Sequence, residues 1–494
     1  MINMVYPSDY ENKTGFDRIR AQVRGKCTTD GGRALLDGEG FSASAGEIAH
    51  RLSLCSELQE ILMLESGFPL QEYTDIGPVA RKIEVACTFL DIEDMIALRA
   101  GLGAVNEITV FLAAKEEGRY PVLRGLAQGV ESFPEITGHI DTILDRYGKI
   151  KDSASPELYT IRRTIRDREG QVSKRLQAIL SKAQKDGYAD ADAAVSIRDG
   201  RAVIPVSAAN KRKINGFIHD ESATGKTFYI EPVEIVEINN ELKELEYAER
   251  REVVRILTAF TDRIRPDAPG IARAGEYLAC MDMIRAKARW AAENECVKPV
   301  LSEEGTLWLR SARHPLLRQT LAREGKQVVP LDLKLDRGRR MLVISGPNAG
   351  GKSVCLKTVG LLQYMFQCGF PVPVLENSEF PVFDGIFIDI GDEQSIDNDL
   401  STYSSHLLNM KHMLAGAGSG SLVLIDEFGS GTEPVIGGAI AEAILERFVE
   451  TGTYGVITTH YSNIKYFAGS HEGVENGAMM FDVQNILSLI HISE

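Results

Sequence analysis

From Phe16 to about Tyr147, apolar residues recur at three- and four-residue spacing, as in Ala45 to Ser66 and Leu90 to Lys115. That pattern predicts a set of packed amphipathic helices. At Pro156 a longer pattern opens, in which Leu158, Ile161, Ile165, Val172, Leu176 and Ile179 follow a near-heptad stripe while Arg162, Arg163, Arg166, Lys174 and Arg175 occupy other faces. It predicts one arm of a coiled coil. A second arm starts after Pro232, and Ile235, Ile238, Leu242, Leu245, Val253, Ile256, Phe260 and Ile264 keep the spacing until Pro266 and Pro269 stop it. The arms are expected to pack antiparallel; two surface helices of one globular bundle are the alternative. Between them the period changes to two. Asp199-Gly200 is the signature of a tight hairpin between Ile197-Arg198 and Val203 to Val206, and Phe217 to His219 and Thr227 to Ile230 read as further strands, so a small β tip should cap the arms.

The second half of the chain has short, wholly apolar runs. Met341 to Ile344 reads as a buried parallel strand, Gly346 to Lys352 as a glycine-rich loop, and Val354 to Leu362 as the start of a helix. Gly346, Gly351, Lys352 and Ser353 fit G-x-x-x-x-G-K-[ST]. In that motif backbone N–H groups close around phosphates, the lysine reaches the outer phosphate oxygens and the hydroxyl holds Mg²⁺. A chance glycine turn before a helix would look similar but would lack partners elsewhere. Leu422 to Ile425 supplies them, since it ends in Asp426-Glu427, the pattern of a strand delivering carboxylates to the sheet edge where ligands bind. Asp426 would hold Mg²⁺ through water, and Glu427 would orient or deprotonate the attacking water. Val456 to Thr459 is another buried strand, and His460 after it is either a contact to the γ-phosphate or a satisfied core histidine. Asp389 to Asn409 is polar and then helical after Ser401-Thr402-Tyr403-Ser404-Ser405. Those hydroxyls could serve a neighbouring subunit's nucleotide or simply cap the helix. His314, before Pro315, could line the nucleotide site but reads more simply as a turn residue where the chain enters this domain. Phe133-Pro134-Glu135 reads as a loop between helices.

Charge redirects the search for nucleic-acid contacts. A net charge of −15 over 494 residues excludes coating a polyanion by bulk charge, so any contact must come from a local patch. The β tip offers one, with Arg198, Arg201, Lys211, Arg212, Lys213 and Lys226 among Asn210, Asn215, Ser222 and Thr224; a solvated hairpin face would have the same composition. Seven scattered cysteines without a C-x-x-C pair read as reduced, mostly buried thiols. With no apolar signal core and no run of membrane-spanning length, the expectation is a soluble cytoplasmic protein without a membrane partner.

GPNAGGKS, LVLIDEFGSGT, STYSSH and ITTH together resemble the ATPase of the MutS family, relatives of the ABC ATPases. IRDGRAVIPV, GFIHDESATGKTFYIEP and VEINNELKELE are similar to the clamp of the second bacterial paralogue, MutS-two; the resemblance spans about Phe16 to Asp482. It implies a multidomain α and α/β protein, a helical core/lever with a coiled-coil clamp and β tip, followed by an ABC-type P-loop ATPase domain with a mainly parallel sheet. The corresponding boundaries are core/lever over 1–155 and 266–300, clamp over 156–265 with its tip near 195–232, and ATPase over 301–486. ATP and Mg²⁺ are the implied cofactors, with Pro347, Asn348, Ala349 and Gly350 completing the phosphate cradle. The resemblance also implies a homodimer through the ATPase domain, in which Ser401, Thr402 and Ser405 approach the partner's γ-phosphate. The expected function is an ATP-dependent clamp on double-stranded, branched or mismatched DNA that suppresses recombination; the alternative is a ribosome-associated quality-control ATPase that binds rRNA. A cohesin-like ABC ATPase would need an LSGG-type signature, which is not found. Family members continue to a C-terminal Smr nuclease domain. Leu487 to Glu494, LSLIHISE, reads as translated transposon-end adapter, so 487–494 is expected to be a non-native tail on a shortened chain.

Overall fold

The computed structural model describes residues 4–69, 71–346, 351–391, 402–430, 432–482 and 487–492. Contacts divide the chain into two compact units, one made of Met1–Asp75, Ala104–Val130 and Glu276–Glu494, the other of Ile76–Gly103 and Glu131–Gly275.

The second unit carries the two long helices, Pro156–Lys185 and Val233–Ile264. Ser155 caps the first, its hydroxyl accepting from the Leu158 N–H at 3.0 Å with Pro156 in the first turn. Partners across the pair run in opposite senses: Ser155 with Glu252, Arg162 with Glu249, Arg168 with Glu241 and Arg175 with the Glu234 carbonyl. The helices are therefore antiparallel. Leu158, Val172, Leu176, Ile235, Ile238, Ile256 and Phe260 are buried, while Ile161, Ile165, Leu242 and Leu245 are only half-buried, because a two-helix arm covers one face of each partner.

At the far end lies a four-stranded antiparallel sheet in the order Ser196–Arg198, Arg201–Ser207, Thr227–Pro232, Gly216–Glu221. Its first turn places Asp199 at φ +48° and Gly200 at φ +71°, the pair of left-handed residues that a tight hairpin turn needs. Ile204, Val206 and Ile230 of the sheet share a core with Leu176, Leu180, Ile235 and Ile238 of the arms. Each such side chain, once buried, contributes roughly 1.5–3 kcal/mol, so sheet and helix ends form one folded piece.

The first unit is built on a seven-stranded sheet in the order Met4–Tyr6, Gly385–Asp389, Ser421–Ile425, Tyr454–Thr458, Met341–Ser345, Val474–Asp482, Leu487–Ile492. Every neighbouring pair is parallel except the last. The central strands are mostly apolar and buried because both faces are covered, as parallel sheets require. A smaller four-stranded sheet, Val300–Leu301, Glu379–Phe380, Leu307–Ala312, Leu331–Leu335, precedes the large one in the chain for most of its length.

The N-terminal strand is a finding that hydrophobic periodicity did not anticipate. Beyond its strand pairing, Tyr10 stacks on Tyr364 with ring centroids 4.8 Å apart and donates to the Gly360 carbonyl at 2.9 Å. Gly360 permits this close approach, since a Cβ there would lie 2.8 Å from Leu424 and 3.1 Å from the Tyr10 hydroxyl and one of them would have to shift. Thus the first residues are welded to the helix Lys352–Gln367. The absence of any membrane-length run needs correcting: the helix Ile92–Ala113 is long and apolar enough to cross a membrane. Its Met95, Leu98, Leu102, Val105, Ile108 and Leu112 are buried within the protein, which is the pattern of a core helix. All seven cysteines are free and only Cys87 is exposed.

Candidate active site

Because the central strands are parallel, their C-terminal ends share one edge, and there the sequence places its chemistry. Met341–Ser345 runs into Gly346 at φ +140°, and the helix Lys352–Gln367 begins after Gly351 at φ +79°. Both glycines occupy backbone that side chains resist. The strand ending in Asp426-Glu427 lies two positions away in the sheet, separated by Tyr454–Thr458, which ends in Thr459-His460. One edge thus gathers the loop, both acids and the histidine.

Lys352 is 2 % exposed, and its ammonium donates to the Gly346 carbonyl at 2.6 Å and to His460 Nε2 at 3.0 Å. Burial holds its pKa below the ordinary lysine value, with Lys465 acting in the same direction and Asp426 and Glu427 opposing. The two acids are held by a residue the sequence reading missed. Thr458 Oγ1 donates to Asp426 Oδ1 at 2.5 Å and accepts the Glu427 N–H at 2.8 Å, bridging both from the intervening strand. Glu427 sits at φ +47°, a left-handed conformation uncommon outside glycine. Strained backbone of this kind persists where neighbours over-determine it. Here they are the Thr458 bridge and Gly429, where a Cβ would meet Tyr461 at 2.9 Å and the Gly437 carbonyl at 3.1 Å.

Asp389 supplies a second support. Its carbonyl accepts the Asp426 N–H at 2.9 Å, and its buried carboxylate pairs with His406 Nδ1 at 2.6 Å and accepts from Asn409 Nδ2 at 2.8 Å. Tyr6 donates to Asn409 Oδ1 at 2.7 Å, so the N-terminal strand reaches this network. GIFID has the same apolar-run-then-acid form as LVLIDE, and that likeness could have flagged Asp389 from sequence.

For a divalent cation the donors fit: the Asp426 carboxylate has one oxygen engaged by Thr458 and makes no other hydrogen bond among the described residues, while the exposed Ser353 hydroxyl makes none. Asp426 and Ser353 are hard oxygen ligands of the kind Mg²⁺ takes, which leaves room for water and phosphate oxygens. Pro347, Asn348, Ala349, Gly350 and Ser401 lie outside the described residues. Thr402 opens the helix Thr402–Gly416, and Ser405 within it is 6 % exposed.

At the β tip the six basic residues separate into two groups. Arg198 pairs with Asp220 at 2.9 Å and lies over the Tyr229 ring. Arg201 grips the buried Glu231 through both carboxylate oxygens and also donates to Asn240. Burial alone would raise the Glu231 pKa, but donors from Asn239, Arg201 and His219 outweigh it and hold the carboxyl below its ordinary value. Lys211 lies over Phe228 with its ammonium 4.3 Å from the ring centre. Arg212, Lys213 and Lys226 are exposed and make no ion pair among the described residues.

Residues 342–492 match the family model MutS domain V. The chain is 36% identical over 472 residues to the endonuclease MutS2 of Alkaliphilus oremlandii, covering 95% of this chain and 59% of that protein. It is 35% identical over 473 residues to the endonuclease MutS2 of a Geobacillus species, with 95% and 59% covered, and 39% identical over 427 residues to that of Pelotomaculum thermopropionicum, with 86% and 53% covered. The chain thus spans less than two thirds of the length of these relatives. On the matched ATPase-type domain and on likeness along nearly its whole length, the chain belongs to the MutS family.

Proposed function

We propose that the chain is the ATP-hydrolysing, nucleic-acid-binding part of a MutS2-type protein, working as a dimer on double-stranded or branched DNA. The observation that carries the reading is the convergence of Lys352, Asp426 and Glu427 at one sheet edge behind a glycine-flanked loop. An incoming triphosphate would draw the Lys352 ammonium from its present acceptors, the Gly346 carbonyl and His460 Nε2, onto phosphate oxygens. His460 would then face the outer phosphate. Glu427, fixed by the Thr458 bridge, would orient the attacking water and accept its proton. Mg²⁺ held by Ser353 and Asp426 would offset charge developing on the phosphoryl oxygens.

The dimer reading is supported by apolar side chains left exposed on two helices of this unit: Leu408 on the helix Thr402–Gly416, and Val435 at 76% and Ile436 at 56% exposure in the first turn of the helix Pro434–Glu450. Ser405 would have to leave its buried position to reach a partner's nucleotide, so the closed dimer implies a shift of the helix start. The nucleic-acid reading rests on Arg212, Lys213 and Lys226, exposed at the end of a long arm where a phosphate backbone can approach. The relatives are named as endonucleases, and nothing in the comparisons favours the ribosome alternative. Titrating a fluorescent ATP analogue tests the site: Lys352→Ala should bind at least about a hundredfold more weakly, from the loss of charge-assisted phosphate contacts. Equal affinity in the two proteins would remove Lys352 from the site.

A further inference from the structure

A second basic site flanks the same phosphate-loop helix. Three segments far apart in sequence enclose a cleft of about 340 Å³: the junction of the helices Tyr10–Thr14 and Phe16–Arg24, the start of the helix Pro315–Arg323, and Val354 with Lys357 on the helix Lys352–Gln367. Lys13, Arg18, His314 and Lys357 line it, with Asn12 and Thr320 beside them and no carboxylate among the described lining residues. That is an unusual concentration of one sign in a chain of net charge −15. Arg18 and Lys357 make no side-chain hydrogen bond or ion pair among the described residues, so their charge is uncompensated by protein.

The walls are held in place. Gly15, at φ +83°, lets the helix junction approach Leu316, since a Cβ there would lie 2.8 Å from the leucine. Gln22 and Gln319 exchange hydrogen bonds at 2.8 and 3.0 Å, with Trp290 and Asn294 joining the same network. His314 caps its helix by accepting the Leu317 N–H on Nδ1, which leaves a ring N–H on Nε2 when the ring is neutral. Burial, then the charges of Lys357 and Arg18, push its pKa down to about 4. The cleft therefore has a positive interior, a neutral N–H donor, polar side chains and a fixed shape, with no carboxylate among its described lining residues.

We propose that this cleft, whose described lining includes none of Gly346, Gly351, Lys352 and Ser353, binds a small polyphosphate anion, such as pyrophosphate or the phosphates of a nucleotide. Its concave form suits a compact anion better than a duplex backbone, which needs an open strip of cations. The inference does not depend on the ATPase reading.

The test uses the full chain carrying Lys352→Ala, which disables the phosphate loop as a competing anion site. Radiolabelled pyrophosphate should bind this protein. Binding should weaken at least about tenfold, for two lost charge-assisted contacts, when Arg18→Glu and Lys357→Glu are added. It should also weaken with the milder Arg18→Gln and Lys357→Gln, whose thermal melting should match the parent. No pyrophosphate binding to the Lys352→Ala protein would overturn the proposal, as would unchanged binding in the glutamine variants. An unphosphorylated duplex that displaces pyrophosphate from the cleft would overturn it too, by assigning the cations to a nucleic-acid backbone.

Discussion

Mild acid should destabilise the unit that contains His314, and a single substitution should abolish that component. Its pKa is held at about 4 in the folded chain against an ordinary value of 6.5. Above the ordinary value the ring is neutral in both states and the native cap is fully present. As pH falls below it, the unfolded chain takes up a proton that the folded chain refuses, so stability declines until the folded pKa is reached. Over the whole window the linkage amounts to about 3 kcal/mol, of which about 2 kcal/mol is lost between about pH 7 and about pH 5. His314→Asn retains an oxygen that can accept the Leu317 N–H and removes the titration. Urea unfolding of both proteins at the two pH values gives a double difference in which the other titrating groups cancel. The wild type should lose about 2 kcal/mol more than the variant. Equal losses would show that His314 titrates normally and that the cleft does not carry the positive field ascribed to it.

Asp282 accepts from the Thr28 and Thr29 N–H groups, from both their hydroxyls and from Arg285, all at 2.7–3.0 Å, and both ionic partners are about fully buried. Asp282→Ala would strand the Arg285 charge and should cost about 3–5 kcal/mol, read as a fall in melting temperature. Thr458→Val removes the bridge between Asp426 and Glu427 and should lower ATP turnover by roughly ten- to a hundredfold with little change in nucleotide affinity, as transient kinetics would show. Alanine at Arg212, Lys213 and Lys226 together should reduce the slope of log affinity for duplex DNA against log salt by roughly 2 to 3. Arg201→Ala should instead lower the stability of the β tip, because it leaves buried Glu231 short of its cationic partner.

Much of this architecture was written in local pattern. The coiled arms follow from a stripe maintained over many turns, and the Asp199-Gly200 hairpin from two residues that accept left-handed backbone. The strands that end at Gly346 and at Asp426-Glu427 could be read because parallel strands buried on both faces are mostly apolar runs, and a polar residue at their end stands out. Three features had no such signal. Met4–Tyr6 is too short to show a period, and its place is fixed by a partner strand nearly four hundred positions away in the chain. Thr458 looks like any β-branched strand residue until the neighbouring strand puts Asp426 against its hydroxyl. Composition at the β tip could not separate Arg198 and Arg201, which are engaged internally, from Arg212, Lys213 and Lys226, which face solvent. That division depends on where Glu231 and Asp220 fall after folding.

The central claim is that Glu427 handles the attacking water while Lys352 binds the phosphates. Its most direct test is a single-turnover measurement of ATP hydrolysis by Glu427→Gln alongside nucleotide affinity in the same protein. The glutamine keeps the size and the Thr458-bridged backbone but cannot accept the proton, so the cleavage rate should fall by about a hundredfold or more while affinity stays within a few-fold of wild type. An unchanged cleavage rate would contradict the assignment of the water to Glu427 and, with it, this account of the site.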